Sequence, residues 1–211
     1  MGNTQVSVVR LDFVFGYGDE GLPDHGWGCV YRCVQTVRRF LKLPYRSVQT
    51  MYKACYNQDL DLKDGKASVM RWIEPTDIKK QGLMSVGTGL YGTVTDDCGR
   101  CLLYTPPSTK VQSFLQRYPQ RSKLPDFDER LLRPKDLVDF VRDTIESGRP
   151  LIVDDKVCSY VVWGIGAGKV RLGDPHVLEP TIRTHRSLDI KEFVRKPWMI
   201  YEPSVAHAIN I

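Results

Sequence analysis

Residues 25–36 read His-Gly-Trp-Gly-Cys-Val-Tyr-Arg-Cys-Val-Gln-Thr, and the interpretation of the whole chain begins with this stretch. Apolar residues recur every three or four positions from Cys29 to Leu41, and polar residues fill the positions between them. This spacing is typical of a helix with one apolar face. The sequence therefore predicts a helix that has Cys29 in its first turn and ends near Leu41.

Cys29 is a candidate nucleophile because of this position. The first turn of a helix carries backbone N–H groups without intrahelical partners and the positive end of the helix dipole, and both favour a thiolate over a thiol. Gly26 and Gly28 place no side chain in the way of an approaching substrate backbone. On this stretch alone, an ordinary half-buried cysteine that follows a flexible loop is the alternative.

The composition bounds the class of protein. The chain has 211 residues, of which 42% are hydrophobic and 26% charged, which is typical of a globular protein and predicts one domain over residues 1–211. Its six cysteines are thinly spread, so we expect free thiols in a reducing compartment. The first residues show no basic leader or apolar segment, and no uninterrupted apolar run is long enough to span a bilayer. We therefore expect a cytoplasmic protein.

Charge and cysteine spacing argue against two other classes of function. The net charge of +5 comes from scattered residues, not from a basic stripe with interleaved aromatics, so we expect no nucleic-acid partner. Cys98 and Cys101 form a CxxC pair, but a structural zinc site needs two further ligands and no second pair is present. We predict a β-turn there, with neither a metal nor a cofactor.

The remaining pattern predicts an α+β fold with a largely antiparallel sheet. Further helices are predicted over residues 45–55, 68–80, 108–118 and 134–147. Strands are predicted over 5–15, 83–94, 102–104, 150–154, 159–164, 169–172 and 198–201. Loops are predicted over 16–21, 57–65 and 119–133.

Asp174-Pro175-His176 follows the strand over residues 169–172 and supplies a possible partner for Cys29. In an extended backbone, Asp174 and His176 lie on the same face, so the carboxylate can orient the imidazole and leave one ring nitrogen free as a base. An exposed histidine in a turn is the alternative. The rival bases are His25, His185 and His207, none of which has a carboxylate at this spacing.

Together these motifs resemble the ubiquitin-fold-modifier-specific proteases (UfSP). The resemblance rests on Gly26-Trp27-Gly28-Cys29-Val30-Tyr31-Arg32 with Gln35-Thr36, on Asp174-Pro175-His176, on Trp72-Ile73 and on Gly148-Arg149-Pro150. It implies a papain-like cysteine protease fold in which the nucleophile helix packs on the sheet. It further implies that Cys29 is the nucleophile, His176 the general base and acid, Asp174 its orienting residue and Tyr17 an oxyanion donor.

The implied function is cleavage after the C-terminal glycine of a ubiquitin-like modifier, which matures the precursor and could also release it from conjugates. The partner would be that modifier, and we expect the protease to be a monomer. Two alternatives stay open. One is an autophagy-type protease, which Cys33 favours because those proteases resemble this chain in having Arg-Cys at this place. The other is a catalytically silent module that binds the modifier. Ser159-Tyr160 and residues 177–180 depart from the UfSP pattern beside the expected cleft, which leaves the substrate preference open.

Overall fold

The computed structural model describes residues 6–56, 59–60, 62–63, 66–67, 100–108, 129–131, 133–155 and 157–203. The predictions for residues 68–80, 83–94 and 109–118, and for the turn at Cys98, lie outside these ranges. Within them, no helix is both long enough and apolar enough to cross a membrane.

Four α-helices lie in the described part of the chain. They are α1 (Cys29–Phe40), α2 (Val48–Tyr56), α3 (Pro134–Glu146) and α4 (Ile190–Phe193). The predictions for α1 and α3 are confirmed within a residue or two. The second helix begins three residues later than predicted, because Ser47 accepts a hydrogen bond from the Thr50 N–H and so caps it.

The strands in the described ranges form one large sheet and one short hairpin. They are β1 (Ser7–Val8), β2 (Leu62–Lys63), β3 (Lys66–Ala67), β4 (Arg100–Tyr104), β5 (Glu129–Leu131), β6 (Leu151–Asp154), β7 (Ser159–Gly166), β8 (Lys169–Gly173), β9 (Arg186–Asp189) and β10 (Trp198–Glu202). The order in the large sheet is β5-β4-β10-β6-β7-β8-β9, β1 also pairs with β7, and β2 pairs with β3. Every pairing is antiparallel except that of β4 with β5, so the α+β class and the largely antiparallel sheet are confirmed.

The central strands β6, β7 and β10 are buried on both faces of the sheet. Successive residues of β6 alternate between two cores: Ile152 packs with α1 and α2, whereas Leu151 and Val153 pack with α3. A strand covered on both sides reads as a continuous apolar run, which is how Leu151-Ile152-Val153 reads in the sequence.

Three predictions differ from the structure. The strand predicted over residues 5–15 is confined to Ser7–Val8, because the chain then passes from one core to the other: Val9 packs with α3, and Val14 packs with α1. The loop predicted over 119–133 contains β5, and the one over 57–65 contains β2. Strand β9 and helix α4 were not predicted.

Candidate active site

Cys29 is the first residue of α1, as predicted, and α1 packs across β6 and β7. Its side chain is only 1% exposed. A Cβ on the preceding Gly28 would lie 2.2 Å from a carboxylate oxygen of Asp24, so only glycine lets the chain approach that carboxylate so closely. The start of the helix is thus built around a buried acid.

Asp24 and Arg32 form a fully buried ion pair beside this helix start. Arg32 Nε donates to Asp24 Oδ2 at 2.6 Å, and Arg32 Nη2 donates to the Asp19 carbonyl oxygen at 2.7 Å. The other Asp24 oxygen accepts the Gly18 N–H at 2.8 Å. The pair therefore ties α1 to the two residues that directly follow Tyr17.

Asp174 and His176 follow the last residue of β8. The His176 ring nitrogen Nδ1 lies 2.6 Å from Asp174 Oδ1, and the same oxygen accepts the His176 backbone N–H at 2.9 Å. Arg186 on β9 donates to the other Asp174 oxygen. The sequence predicted the pairing of carboxylate and imidazole but not the arginine behind it.

The second ring nitrogen of His176, Nε2, is buried and has no hydrogen-bond partner of good geometry among the described residues. Burial opposes protonation of the ring, but Asp174 and the adjacent Cys158 and Cys29 outweigh burial and raise the pKa of His176 to about 11. Burial also acts to raise the pKa of Asp174, yet the hydrogen bonds from His176 and Arg186 lower it. An ionised carboxylate thus orients a basic imidazole whose free nitrogen lies near two thiols.

Tyr17 lies over these groups. Its ring packs edge-on against the His176 ring, with a centroid distance of 5.2 Å and an interplanar angle of 90°. Burial and a hydrogen bond to Cys29 raise the pKa of Tyr17, so the hydroxyl keeps its proton and can donate it. The Tyr17 N–H donates to the Pro175 carbonyl at 2.9 Å, which joins the loop of Tyr17 to the Asp174-Pro175-His176 turn.

Ser159 contacts the Cys29 sulfur, a role that the sequence did not indicate. The Cys29 thiol donates to Ser159 Oγ at 3.6 Å, and the Ser159 hydroxyl donates to the buried Asp154. Only the pairing of β6 with β7 brings Asp154 opposite Ser159. The proximity of the His176 imidazole lowers the pKa of the adjacent Cys158, although the partial burial of the thiol acts in the opposite direction.

The other candidates border this cluster, lie apart from it or fall outside the described residues. The exposed His25 borders it, because its ring centroid lies 5.1 Å from that of Tyr17, whereas His185 is exposed on another loop. His207 lies outside the described residues, as does Cys98. Cys33 is fully buried in α1. Within the described ranges, no three His, Cys, Asp or Glu residues are grouped so that they could hold a metal ion.

Comparison with known proteins relates the chain to one type of fold. No family model matches the sequence, and no curated protein matches it. Among solved structures, the chain is similar to the crystal structure of UfSP from C. elegans, with a TM-score of 0.58 and 15% sequence identity. The match covers 97% of this chain and 35% of that one, so the present chain spans about a third of the length of its structural neighbour. At this identity the likeness establishes a similar fold.

Proposed function

We propose that residues 1–211 form a papain-like cysteine protease domain that cleaves after the C-terminal glycine of a ubiquitin-like modifier. The observation that carries the proposal is the arrangement of His176, which has Asp174 on Nδ1 and an unpartnered Nε2 beside the Cys29 thiol. The similarity in fold to a UfSP structure supports the choice of substrate class.

The geometry fits the chemistry of covalent acyl transfer. His176 Nε2 takes the proton of the Cys29 thiol, and the sulfur attacks the carbonyl carbon of the terminal glycine. The protonated His176 then gives its proton to the departing amine, which leaves a thioester on Cys29. Water hydrolyses the thioester with His176 as the base and restores the thiol. Asp174 holds the imidazole in orientation throughout and stabilises its protonated form.

The tetrahedral intermediate needs hydrogen-bond donors for its oxyanion. The backbone N–H of Cys29 is one, since the first N–H groups of a helix have no intrahelical partner. The Tyr17 hydroxyl is the other, because it already lies against the Cys29 sulfur and retains its proton.

A cleavage assay tests the proposal. The protein is incubated with precursors of two modifiers, a ubiquitin-fold modifier and an autophagy modifier, each with residues beyond the terminal glycine. We expect processing of the ubiquitin-fold modifier and loss of that activity in Cys29→Ser, whose hydroxyl does not readily form an anion. His176→Ala should lose nearly as much activity, and Asp174→Asn should lose less. Processing of only the autophagy modifier would reassign the substrate.

A modifier-binding protein without turnover is the second candidate, and the burial of Cys29 favours it, since a sulfur that is 1% exposed is closed to a substrate in this conformation. Binding of mature modifier, measured by calorimetry, together with absent cleavage of both precursors would identify this function. Cleavage by wild type that iodoacetamide abolishes would exclude it.

A further inference from the structure

Arg183 is buried at 1% exposure and belongs to neither catalytic motif. It follows the short 3-10 turn Pro180–Ile182. Its guanidinium lies against Gly16 so closely that a Cβ there would come within 2.3 Å of the guanidinium carbon. A charged group so deeply buried requires hydrogen bonds for all its donors, and Arg183 has them.

Two of its partners lie in the segment that carries Tyr17. Nη1 and Nη2 donate to the two carboxylate oxygens of Asp19 at 2.7 and 3.1 Å, and Nη1 also donates to the Val14 carbonyl at 3.2 Å. Asp19 Oδ2 in turn accepts the Gly16 N–H at 2.9 Å. The loop from Val14 to Asp19 is therefore folded around the guanidinium.

The remaining donors hold the segment that carries His176. Nε donates to the Val177 carbonyl at 2.7 Å, and Nη2 donates to the Leu178 carbonyl at 3.1 Å. In addition, the Asp174 N–H donates to the backbone carbonyl of Arg183 at 2.8 Å. All five guanidinium N–H bonds are thus used, and they join two segments that are far apart in sequence.

We propose that Arg183 is a positioning residue that sets Tyr17 and His176 relative to each other and keeps the Tyr17 loop closed over Cys29. Lysine cannot replace it, because an ammonium lacks the planar fork that reaches Asp19 and two carbonyls at once. The kinetic part of this inference rests on the proposed protease function. The positioning part does not, since it concerns the access to Cys29.

Alkylation of Cys29 tests the positioning without any substrate. The rate of modification by iodoacetamide is measured by mass spectrometry of the Cys29 peptide in wild type and Arg183→Ala, at a temperature where circular dichroism shows both to be folded. We expect Arg183→Ala to react about fivefold faster or more, because its Tyr17 loop opens locally. A rate within about twofold of wild type would overturn the proposal.

Gly16→Ala gives an independent test that keeps the charge of Arg183. Gly16 does not require a positive φ, and the three atoms nearest to the added methyl group all belong to the guanidinium, so the substitution should force the same loop away. We expect the same faster alkylation, and this variant decides the question if Arg183→Ala fails to fold. In the double variant that combines Gly16→Ala with Arg183→Ala, the methyl group has no guanidinium to displace. The alkylation rate of Cys29 should therefore match that of Arg183→Ala alone. A rate increase equal to the product of the two single increases would mean that the substitutions act independently.

Arg149→Ala is the matched control. Arg149 is a largely buried arginine that pairs with Glu202 on β10, among residues that take no part in the site. Its loss should lower the melting temperature but leave the alkylation of Cys29 within about twofold of wild type. An equal increase of the Cys29 alkylation rate in Arg149→Ala would mean that Arg183 acts only through the general stability of the fold.

With a modifier precursor as substrate, Arg183→Ala should lower kcat by about tenfold or more and leave KM nearly unchanged, because orientation is lost rather than binding. An equal rise in KM with unchanged kcat would overturn the positioning role. Absence of cleavage by wild type would refute the proposed function alone, since the alkylation comparison would still stand.

Discussion

The hydroxyl oxygen of Tyr17 distinguishes two possible roles of this residue, oxyanion donor and packing residue. As an oxyanion donor, its hydroxyl acts only in the transition state, so Tyr17→Phe should lower kcat about a hundredfold with little change in KM or melting temperature. The measurement is steady-state kinetics on a modifier precursor together with thermal unfolding. If the ring serves only packing against His176, Tyr17→Phe keeps near-wild-type turnover and only Tyr17→Ala loses stability.

The His176–Asp174 pair should make the stability of the protein depend on pH. The pKa of His176 is raised to about 11, whereas a histidine in an unfolded chain has a pKa of about 6.5. Its stabilising contribution is therefore complete below about pH 6.5 and declines as the pH rises towards 11. We expect the free energy of unfolding of wild type to exceed that of His176→Gln by more at pH 6 than at pH 9.5, by at least about 1 kcal/mol.

Urea unfolding of both proteins at the two pH values measures this difference. Groups that do not contact His176 titrate alike in the two proteins and cancel in the comparison. Cys158 does not titrate alike, because His176 lowers its pKa, so both proteins are measured in a Cys158→Ser background. An equal gap at pH 6 and pH 9.5 would mean that folding does not raise the pKa of this imidazole.

At the scale of elements, the start of α1 depends on the buried Asp24–Arg32 pair. Removing one partner of a buried pair leaves the other charge uncompensated, so Asp24→Ala should lower the free energy of unfolding by about 3 kcal/mol or more. Arg10 and Asp12 form a pair on the surface with a distance of 2.8 Å, and Asp12→Ala is the control, with an expected change of less than about 0.5 kcal/mol. Similar losses in the two variants would show that the buried pair is not what anchors α1.

Helical periodicity made α1 and α3 predictable. Helix α3 buries one face, as expected, whereas α1 is buried from Cys29 to Arg38, so the polar face predicted for it is wrong: Arg32, Gln35 and Arg38 are buried and bonded to the surrounding loops. Strand β9 lacked such a signal: Arg186-Ser187-Leu188-Asp189 has one apolar residue and is mostly exposed at the edge of the sheet. The strand predicted over residues 5–15 failed for the opposite reason. Its buried apolar residues enter two different cores, Val9 one and Leu11 and Val14 the other, and the segment pairs with a neighbouring strand only at Ser7–Val8.

The candidate site divides in the same way between local and distant signals. Cys29 was found from its position at a helix start, and Asp174 with His176 from two-residue spacing; their catalytic roles stay predictions. The contacts of Ser159 and Arg183 could not be predicted from local sequence patterns, because their partners lie on other elements. Only the assembled sheet and loops bring those contacts about.

For the molecule as a whole, β10 joins the two parts of the sheet. It pairs with β4 on one side and β6 on the other, and its Ile200 is fully buried. Proline there removes a ladder hydrogen bond in a central strand, so Ile200→Pro should lower the free energy of unfolding by about 3 kcal/mol or more, or prevent folding.

Ser187→Pro is the comparison, because Ser187 lies in edge strand β9, which pairs only with β8 in the described sheet. We expect a clearly smaller loss by urea unfolding monitored with circular dichroism. Equal losses at the two positions would contradict a special role for β10 in joining the sheet.

The position of β10 also bears on how the protein is made. A ribosome releases α1 early, with Cys29 at its start, and releases Asp174, His176 and Arg183 much later. Strands β4 and β6 cannot pair through their shared neighbour until β10 is made, because β10 lies between them in the sheet and is the last described strand in chain order. The growing polypeptide thus carries its thiol without the imidazole until His176 has been synthesised. Its sheet can close only after residue 202 has left the exit tunnel.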